Sequence, residues 1–571
     1  MNTTAAVNRA ATQKPTTLPE AFAKQVLAQP DNVALRDAGG DLTFTWSEYA
    51  THVARIAGGF AALGLRRGDT LATMLANRSE HALCEMAANH LGVTTFSIYN
   101  TSSPEQIAYM LDNSGAKLII TEAQFTDAVR DSGAAVDILV LEDGDIDRLR
   151  PAPGFDFERT WRAVQPDDIL CLIYTSGTTG PPKGVEHTHA NFIAMSYSHI
   201  ARFPIGESDR TISYLPTAHL ADRGCLYYTH TIHGAQITMC PNISDLGAAL
   251  AEVHPTTFAA VPRVWEKLKA AVEGVLATDP TMRKAFDSGD QQVLAGIRTK
   301  LGFDQLRWAL SGSATLNSEI LGFFTHLGVP TTDVWGMSEI GIATAAPVDQ
   351  TKPGTVGTLM EGYESKLASD GELLIRADFV MERYRNDPVK TAEALDAEGW
   401  VHTGDIFAID GEGYFTIIDK KKELIINSGG KNMSPSNIEG AIRDASRLVG
   451  PMMAFGDNHP YNVALITVEP EAAAEFGITA DRSALAQHPE VVAQIRHAVA
   501  VGNSRLSRIE QVKRFKIVSD TWDPGTPLVT PTGKLKRRLL SAEYAPDLDD
   551  LYAAEPGDDV YEPADASGDT L

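Results

Sequence analysis

The stretch "YTSGTTGPPKGVEHTH", residues 174–189, decides the fold because it places a loop of Gly, Ser, Thr and Pro after a buried apolar run. That run, "ILCLIYT", has the length and composition of a buried strand, and "ANFIAMSYSHI" beyond the loop predicts a helix. Glycine lets backbone N–H groups approach an anion closely, and Lys183 adds a point charge. The stretch therefore predicts a phosphate-binding loop between a strand and a helix.

Short apolar runs alternate with helix-like stretches on both sides of this loop. "DTLATML", "AKLIIT" and "DILCLIYT" have the pattern of strands, whereas "FTWSEYATHVARIAGGFAALGL" has a helical period. This alternation predicts an α/β fold with largely parallel strands. Within 406–426 two β-rich runs flank "DGEG" and predict a hairpin. Beyond it, "SNIEGAIRDA", "NVALITVE" and "PEVVAQIRHAVAVGNSRL" predict a smaller unit of helices and a strand.

The length of 571 residues exceeds what one hydrophobic core supports, so we expect more than one domain. We assign a disordered start to 1–17, a large domain to 18–421, a small domain to 422–544 and an acidic disordered tail to 545–571. The tail contains no Lys or Arg and contributes to the formal net charge of -25.

The acidic charge argues against non-specific nucleic-acid binding, which needs clustered cations. No apolar run reaches the roughly 18 residues of a membrane span, and peripheral membrane contact stays open. The four cysteines form no CxxC pair and no metal-type spacing with His, so we expect free thiols in a reducing cytoplasm. The sequence leaves the oligomeric state open.

Two well-known phosphate-binding motifs are excluded. A Walker A loop requires GxxxxGK[ST], but Pro182 precedes Lys183, and the loop also lacks GxGxxG. Instead, "YTSGTTGPPKGV" closely resembles the phosphate-loop signature of adenylate-forming enzymes, which include acyl-CoA synthetases, luciferases and peptide-synthetase adenylation domains. The resemblance recurs in order along most of the chain, from "LTFTWSEY" to "PTGKLKRR".

The resemblance implies a large layered α/β N-terminal domain that binds ATP and the acid, and a small mobile α+β C-terminal domain. It also implies Mg²⁺ as cofactor and CoA as co-substrate, with Lys183 acting on the terminal phosphates. The residues of the phosphate loop that it implies are Thr175, Ser176, Gly177, Thr178, Thr179 and Gly180.

A second nucleotide motif is "TTDVWGMSEIG", residues 331–341. The resemblance implies that Trp335 stacks on adenine next to Gly336, that the Ser338 hydroxyl reaches the α-phosphate, and that Glu339 helps to hold Mg²⁺. These roles suit the chemistry, because an indole face fits a purine and a hard cation prefers carboxylate oxygen. Ser338 replaces the threonine that is usual in the family and keeps the hydroxyl.

The remaining nucleotide contacts are implied by two further motifs. "LSGSATLN" (310–317) resembles the loop whose backbone contacts adenine, at Ser313 and Ala314. "GWVHTGDIF" (399–407) resembles the segment whose aspartate, here Asp405, binds both ribose hydroxyls. Lys420 stands where the family usually has an arginine that holds the ribose. Because lysine lacks the planar fork of arginine, we expect weaker orientation of the ribose.

The C-terminal motifs concern the hinge and the small domain. By resemblance, Lys422 is the hinge residue, and Gly430 lets the pantetheine arm of CoA pass close to backbone. "LVTPTGKLKRR" (528–538) resembles the closing motif, whose lysine, here Lys534, bridges the acyl carboxylate and the α-phosphate during adenylation. We expect the basic residues after it to be a solvated surface run, namely Lys536, Arg537 and Arg538.

The acid is indicated by "YLPTAHLADRGCLYYTHTIHGA" (214–235) and "VPRVWEKL" (261–268), which resemble long-chain fatty acyl-CoA synthetases and their bubblegum-type relatives. His219 falls where the family keeps an aromatic residue or His beside the carboxylate. The apolar side chains around Trp265 fit either an acyl tunnel or a hydrophobic core, since periodicity does not separate the two.

We therefore expect a long-chain fatty acid:CoA ligase. An alternative is a fatty acyl-AMP ligase that delivers its product to a carrier protein, but no extra segment stands between "GELLIR" (371–376) and the hinge, which favours CoA. Luciferase-type oxygenation has no positive sign in the sequence. A non-catalytic paralogue that binds nucleotide or fatty acid is favoured only by Lys420.

Overall fold

The computed structural model describes residues 14–40, 42–175, 181–314, 316–428, 431–523, 526–530 and 534–564. The backbone contacts divide the chain into two compact units. The large unit comprises Met1–Lys366, Leu374–Thr403 and Ile409–Thr416, and the small unit comprises Leu367–Leu373, Gly404–Ala408 and Ile417–Leu571.

The unit boundaries fall inside strands rather than in a single linker. We expected one boundary at 421–422, but the small unit also includes Leu367–Leu373, Gly404–Ala408 and residues 417–421 on its N-terminal side. The described strands are, in chain order, β1 (Val33–Asp37), β2 (Thr43–Thr45), β3 (Thr70–Met74), β4 (Thr94–Ser97), β5 (Ala116–Thr121), β6 (Asp137–Val140), β7 (Ile169–Thr175), β8 (Lys183–Thr188), β9 (Arg210–Ser213), β10 (Gln236–Met239), β11 (Thr257–Ala260), β12 (Trp308–Ser311), β13 (Thr331–Met337), β14 (Gly341–Ala345), β15 (Thr358–Leu359), β16 (Glu364–Leu367), β17 (Glu372–Arg376), β18 (Arg383–Tyr384), β19 (Val401–Ile409), β20 (Phe415–Lys420), β21 (Ile425–Ile426), β22 (Asn432–Met433), β23 (Val449–Phe455), β24 (Asn462–Val468) and β25 (Val512–Val518).

The helices connect these strands. A π-helix spans Ala221–Tyr228 and a short 3₁₀-helix spans Ile243–Asp245. The described α-helices are α1 (Leu18–Ala28), α2 (Trp46–Ala62), α3 (Ser79–His90), α4 (Pro104–Ser114), α5 (Ala123–Asp131), α6 (Asp145–Arg148), α7 (Phe157–Arg162), α8 (His189–Arg202), α9 (Thr229–His233), α10 (Leu246–Val253), α11 (Pro262–Thr278), α12 (Pro280–Asp287), α13 (Gln291–Leu301), α14 (Ser318–Leu327), α15 (Pro388–Ala394), α16 (Pro435–Arg443), α17 (Pro470–Glu475), α18 (Arg482–Gln487), α19 (Pro489–Ser504), α20 (Arg537–Glu543) and α21 (Ala545–Tyr552).

The large unit is built on layered sheets, as the alternating pattern predicted. Its seven-stranded sheet has the order β18-β8-β7-β4-β3-β5-β6, and the pairs among β7, β4, β3, β5 and β6 are parallel. A five-stranded sheet has the order β11-β12-β13-β14-β15, with β11, β12 and β13 parallel. The α/β class is therefore confirmed. Strands β19 and β20 are also neighbours, which confirms the hairpin around "DGEG".

The element after the phosphate loop differs from the prediction. The helix predicted from "ANFIAMSYSHI" is confirmed, since α8 starts at His189 after the N-cap Thr188. The stretch before it is not a loop throughout, because Lys183 begins β8, which pairs antiparallel with β7 so that Thr175 lies opposite Lys183. Because "KGVEHT" extends the sheet, the phosphate loop joins two strands and does not lead directly into the helix.

The aromatic side chain of Trp265 belongs to the hydrophobic core of the large unit. Trp265 is fully buried on α11, and its ring lies 5.6 Å from Phe258, 6.1 Å from Phe303 and 4.8 Å from Phe324, between centroids. Of the two interpretations left open by the sequence, the core is the one that these contacts support.

The small unit folds around a three-stranded sheet with the order β23-β24-β25. Helices α16 and α19 pack on one face through Ile438, Ile442 and Ile495, which confirms the helices predicted there. The opposite face is covered by residues 522–551, including Leu540 and Leu551.

The acidic tail is ordered, in contrast to the prediction, as far as residue 564. Helix α21 covers Ala545–Tyr552, and the backbones of Tyr561 and Phe515 exchange two hydrogen bonds of 2.8 and 2.9 Å. Lys516 pairs with three tail carboxylates, at 3.1 Å from Asp547, 2.9 Å from Asp550 and 3.0 Å from Asp559. The negative charge is therefore partly neutralised, and spaced apolar residues anchor the segment. The rest of the tail, 565–571, lies outside the described residues.

Three further expectations concern the start of the chain, the cysteines and membrane spans. Residues 14–17, which we assigned to the disordered start, are described, and the side chain of Thr17 caps α1 by accepting a hydrogen bond from the Glu20 N–H. Residues 1–13 lie outside the described residues. All four cysteines are free. In the described part of the chain, no helix combines the length and the apolar character that crossing a membrane requires.

Candidate functional site

A hydrogen-bonded chain joins three site residues of the large unit. The Nζ atom of Lys183 donates to the Tyr384 hydroxyl at 3.0 Å, and that hydroxyl donates to Oε1 of Glu339 at 2.6 Å. Lys183 Nζ also lies 4.1 Å from the centroid of the Tyr384 ring. Burial, followed by the negative charge of Glu339, raises the pKa of Tyr384, so the hydroxyl stays protonated and keeps donating.

Tyr384 is not marked as a candidate in the sequence, although its hydroxyl lies between two candidate residues. It lies on β18, which pairs with β8, the strand that begins with Lys183. Its surroundings, "MERYRNDP", carry no local pattern that marks a functional residue. Only the pairing of β18 with β8 brings its hydroxyl between the ammonium of Lys183 and the carboxylate of Glu339.

The turn between β13 and β14 carries Ser338 and the buried Glu339. The carbonyl oxygen of Ser338 accepts a hydrogen bond from Nε2 of His187 at 2.7 Å, which places the proton of the neutral ring on Nε2. Burial lowers the pKa of His187 to about 4. At Gly336 a Cβ atom would lie 2.0 Å from the carbonyl oxygen of Gly341, so only glycine fits beside this turn. The turn is thus held by a buried neutral imidazole and by close backbone packing.

The loop after β12 lies next to this turn, because β12 and β13 are parallel neighbours with Ser311 opposite Asp333. Ser313 and Ala314 are exposed, and Ser313 has a φ of 69°, which is unusual outside glycine and often marks functional loops. The N–H of Leu316 donates to Oδ2 of buried Asp333 at 3.0 Å and ties the loop to β13. Burial raises the pKa of Asp333 to about 7.

The structure therefore brings together most of the candidate residues of the large unit. The loop with Ser313 and Ala314 and the turn with Ser338 and Glu339 follow the carboxyl ends of neighbouring parallel strands, where α/β sheets bind ligands. Trp335 itself lies within β13 and is buried. Six predicted site residues lie outside the described residues, namely Ser176, Gly177, Thr178, Thr179, Gly180 and Gly430.

His219 lies just before the π-helix of the large unit. Its Nδ1 atom accepts a hydrogen bond from the Ala221 N–H at 3.1 Å, so the neutral ring carries its proton on Nε2. Its carbonyl oxygen accepts from the Arg223 N–H at 3.1 Å. π-Helices are rare and frequently occur at functional sites.

Two consecutive buried ionisable residues anchor this π-helix. The carboxylate of Asp222 accepts from the Ser213 hydroxyl at 2.7 Å, and burial raises its pKa to about 7. Arg223 is fully buried, lies 3.3 Å from Glu85 and donates to Ser97 Oγ at 2.6 Å. The pair of Arg223 with Glu85 is not visible in the sequence, because no local pattern links residues 85 and 223.

In the small unit, Lys420 and Asp405 form an ion pair. Nζ of Lys420 lies 3.2 Å from Oδ1 of Asp405, and Asp405 is buried while Lys420 is partly exposed. Lys422 is exposed in the turn after β20. The neighbouring Lys421 pairs with Asp370 at 2.6 Å and with Glu372 at 2.9 Å. The basic patch "DKKKE" is therefore a set of specific ion pairs rather than a uniformly solvated turn.

Lys534 lies on the turn that precedes α20 in the small unit. Its N–H donates to Thr530 Oγ1 at 2.9 Å, and its carbonyl oxygen accepts from the Thr530 N–H at 2.8 Å. Desolvation, followed by the positive charge of Lys420, lowers the pKa of Lys534. The residue nevertheless keeps contact with solvent.

Arg537 is not part of a solvated surface run, in contrast to the prediction. Its guanidinium donates to both carboxylate oxygens of Glu439, at 2.8 and 2.7 Å, and only 19% of its side chain is exposed. The prediction was wrong because Glu439 lies far away in the sequence. Arg538 is exposed, as expected, and Lys536 donates to the carbonyl oxygen of Pro527 at 3.0 Å.

Comparison with known proteins finds two matching family models. Residues 22–385 match the model described as AMP-binding enzyme, and residues 422–556 match the AMP-binding enzyme C-terminal domain. In sequence, the chain is 47% identical over 445 residues to fadD11 of Mycobacterium tuberculosis, a protein provisionally named a fatty-acid–CoA ligase, covering 72% of this chain and 78% of that protein. It is 31% identical over 560 residues to the long-chain-fatty-acid–CoA ligase FadD15 of Mycobacterium bovis, covering 90% and 92%.

Solved structures show the same fold. The anthranilate CoA ligase AuaEII superposes with a TM-score of 0.72 at 19% identity, over 93% of this chain and 98% of that chain. The O-succinylbenzoate coenzyme A synthetase MenE of Bacillus subtilis also has a TM-score of 0.72, at 22% identity, over 91% and 97%. Because the first family model alone matches well over half of the chain, this protein belongs to the AMP-binding enzyme family, the adenylate-forming superfamily that its motifs resemble.

Proposed function

We propose that this chain is a long-chain fatty acid:CoA ligase, which activates the acid with Mg·ATP and then transfers the acyl group to CoA. The names of fadD11 and FadD15 support the reaction class, and the name of FadD15 supports the chain length. The structural observation that carries the proposal is the Lys183–Tyr384–Glu339 chain. It sets a cation and a carboxylate beside one hydroxyl, as a site for a polyphosphate and its metal ion requires.

In the first step, a carboxylate oxygen of the fatty acid attacks the α-phosphorus of ATP. The bond from this phosphorus to the bridging oxygen breaks, and pyrophosphate leaves with the electron pair. In our proposal Lys183 binds the terminal phosphates, the Ser338 hydroxyl donates to the α-phosphate, and Lys534 lies between the two anionic reactants. Cations and donors placed where charge develops lower the barrier of such a transfer.

The metal ion fits the residues present. Mg²⁺, when bound, offsets the negative charge of the phosphates, and the buried carboxylate of Glu339 is a ligand of the kind it prefers. Within the described ranges, no group of three or more His, Cys, Asp or Glu side chains is arranged to hold a metal. This agrees with an ion held by a protein carboxylate together with substrate phosphates.

The nucleoside and the acid have their own contacts in the proposal. Trp335 stacks on adenine, next to Gly336, and the backbone at Ser313 and Ala314 contacts the base edge. Asp405 accepts from the ribose hydroxyls, supported by the charge of Lys420. His219 donates from Nε2 to the acid carboxylate, since its Nδ1 is already an acceptor within the chain.

In the second step, the thiolate of CoA attacks the carbonyl carbon of the acyl-adenylate, and AMP leaves with the electrons of the carbon–oxygen bond. We propose that the small domain rotates about Lys422 between the steps, which removes Lys534 and admits the thiol past Gly430. The four free cysteines support a cytoplasmic location for this chemistry, with CoA and fatty acid as the partners.

Mass spectrometry of one reaction series tests the proposal. The protein is mixed with Mg·ATP, CoA and fatty acids from short to very long, with an aryl acid as control. Acyl-CoA formed over a window of long chains is the expected result. Acyl-AMP that accumulates without acyl-CoA would assign the chain to the carrier-loading ligases. Stabilisation by ATP without release of pyrophosphate, for every acid, would favour the non-catalytic paralogue.

A further inference from the structure

The turn that carries Lys534 is anchored at both ends. Val529 before the turn and Leu535 after it form an antiparallel bridge, and the Lys536 N–H donates to the Leu528 carbonyl at 2.8 Å. The Thr530 hydroxyl, which is buried, accepts from the Lys534 N–H at 2.9 Å. These bonds define the turn locally, and the side chains of Val529 and Leu535 also pack in the hydrophobic cluster on the central sheet.

Arg537 adds a directional polar link to the small unit on the C-terminal side of the turn. It is the first residue of α20, and its planar guanidinium makes two parallel hydrogen bonds with Glu439 on α16, at 2.8 and 2.7 Å. Such bidentate pairs fix orientation as well as distance. The side chain of Glu439 is only 13% exposed, so solvent screens this pair weakly.

The partner of Arg537 is itself held in place. Oε1 of Glu439 also accepts a hydrogen bond from the Ala454 N–H at 2.8 Å, so its carboxylate is fixed to β23 of the central sheet. In addition, Nε of Arg537 lies 3.6 Å from Oε2 of Glu423, the residue after Lys422. One guanidinium therefore connects α20 with α16, β23 and the segment of the proposed hinge.

We infer that Arg537 is a positioning residue for Lys534, and that its pair with Glu439 holds the Lys534 turn in the geometry that adenylation needs. The inference rests on the proposed function for the role of Lys534. Lysine at position 537 would keep the positive charge but could not form the two parallel hydrogen bonds with Glu439. The proposed role therefore requires the planar guanidinium of arginine. Arg537 contacts no reacting atom in this account.

Half-reaction kinetics in the full-length protein test the inference. Palmitate with Mg·ATP reports adenylation through pyrophosphate release, and supplied palmitoyl-AMP with CoA reports thioester formation. Arg537→Gln should slow adenylation by about 10- to 100-fold, the scale for losing a charge-assisted bond, and leave thioester formation unchanged. Arg537→Lys and Glu439→Gln should slow adenylation less. Arg538→Gln, at an exposed neighbour, is the matched control and should change neither rate.

A double substitution separates positioning from general stabilisation. If Arg537 acts through Lys534, then Lys534→Ala/Arg537→Gln should adenylate no more slowly than Lys534→Ala alone. The inference would be overturned if the rate losses of the two single variants multiplied in the double variant. It would also be overturned if Arg537→Gln slowed both half-reactions equally.

Hydrogen exchange gives a readout that does not depend on activity. The amides of Lys534 and Lys536 should exchange faster in Arg537→Gln than in the wild type, and at the wild-type rate in Arg538→Gln. Unchanged protection would refute the anchoring of the turn. If the wild-type protein performs neither half-reaction with palmitate, the proposed function fails instead, and the exchange data still decide whether Arg537 orders the turn.

Discussion

The Nζ atom of Lys420 lies 3.2 Å from Oδ1 of Asp405, so the carboxylate proposed to bind the ribose already has a cationic partner within its own unit. A lysine can offer this carboxylate a point charge, whereas arginine would offer a fork that reaches Asp405 and a ribose oxygen together. The substitution of the usual arginine by lysine is therefore compensated in charge but not in shape.

Lys420→Arg should lower the KM for ATP severalfold, because the planar fork restores a second hydrogen bond. Steady-state kinetics with varied ATP measure this change. Lys421→Arg is a matched control, since Lys421 pairs with Asp370 and Glu372, and its KM should equal that of the wild type. A raised KM in Lys420→Arg would mean that this pocket is built around lysine.

Tyr384→Phe should slow adenylation by about 10-fold or more, because it removes the hydroxyl between Lys183 and Glu339 and leaves a buried carboxylate without its donor. Rapid-quench measurement of pyrophosphate release gives the rate. Tyr414→Phe removes an exposed hydroxyl that donates to the Gln350 carbonyl at 2.8 Å, and serves as the control. Equal adenylation rates in Tyr384→Phe and the wild type would show that the hydrogen bonds of Tyr384 with Lys183 and Glu339 do not contribute to catalysis.

Lys534→Ala should slow adenylation by about 10²–10³, the scale for losing one transition-state donor, while thioester formation from supplied acyl-AMP persists. The two half-reactions are measured separately, with Arg538→Ala as control. Equal damage to both half-reactions would contradict a small domain that presents Lys534 only in the first step.

Arg223→Met should destabilise the large unit by about 3–5 kcal/mol, because Glu85 is left as an unpaired buried charge. The double variant Arg223→Met/Glu85→Leu should recover much of this loss. Urea unfolding measures both, and Arg263→Met, which removes an exposed pair with Glu266, should cost about 1 kcal/mol or less. A double variant as unstable as the single one would locate the cost in packing rather than charge.

Acidification should destabilise the fold between about pH 6.5 and 4. Burial lowers the pKa values of His81, His90 and His187 to about 4, so the unfolded chain binds more protons than the folded one in this window, and stability falls with pH. Asp222 and Asp333, with pKa values raised to about 7, act in the opposite sense, but the buried histidines outnumber them. Chemical denaturation should give a lower free energy of unfolding at pH 5 than at pH 7, which corresponds to net proton uptake on unfolding. A higher free energy of unfolding at pH 5 would contradict this prediction.

Elements whose signals lie close together in sequence could be predicted. Helix α2 begins with a capping box in which Thr45 and Glu48 satisfy each other's backbone donors, and its apolar period is visible in the sequence. The parallel strands β3, β5 and β7 were likewise recognisable from short apolar runs. The candidate residues Ser338 and Glu339 followed from their motif, because motif and turn coincide.

Features that depend on distant partners could not be predicted. The bond from Tyr384 to Glu339 and the pair of Arg537 with Glu439 join residues that are 45 and 98 positions apart. Strand β8 was missed for a related reason, since its partner strand rather than its own pattern makes it extended. Charge composition alone misjudged 545–564, because Lys516 and the apolar side chains that order this segment lie elsewhere or are widely spaced.

The contacts of Tyr561 and Lys516 also determine when the small unit can complete its fold during translation. Strand β25 keeps an open edge until Tyr561 has left the ribosome, so the small unit completes its fold only after every catalytic motif, including Lys534, has been translated. A premature stop between Lys534 and Tyr561 would therefore yield a polypeptide with all motif residues and an open edge on β25. Such a product would be lost to aggregation or proteolysis rather than to defective chemistry.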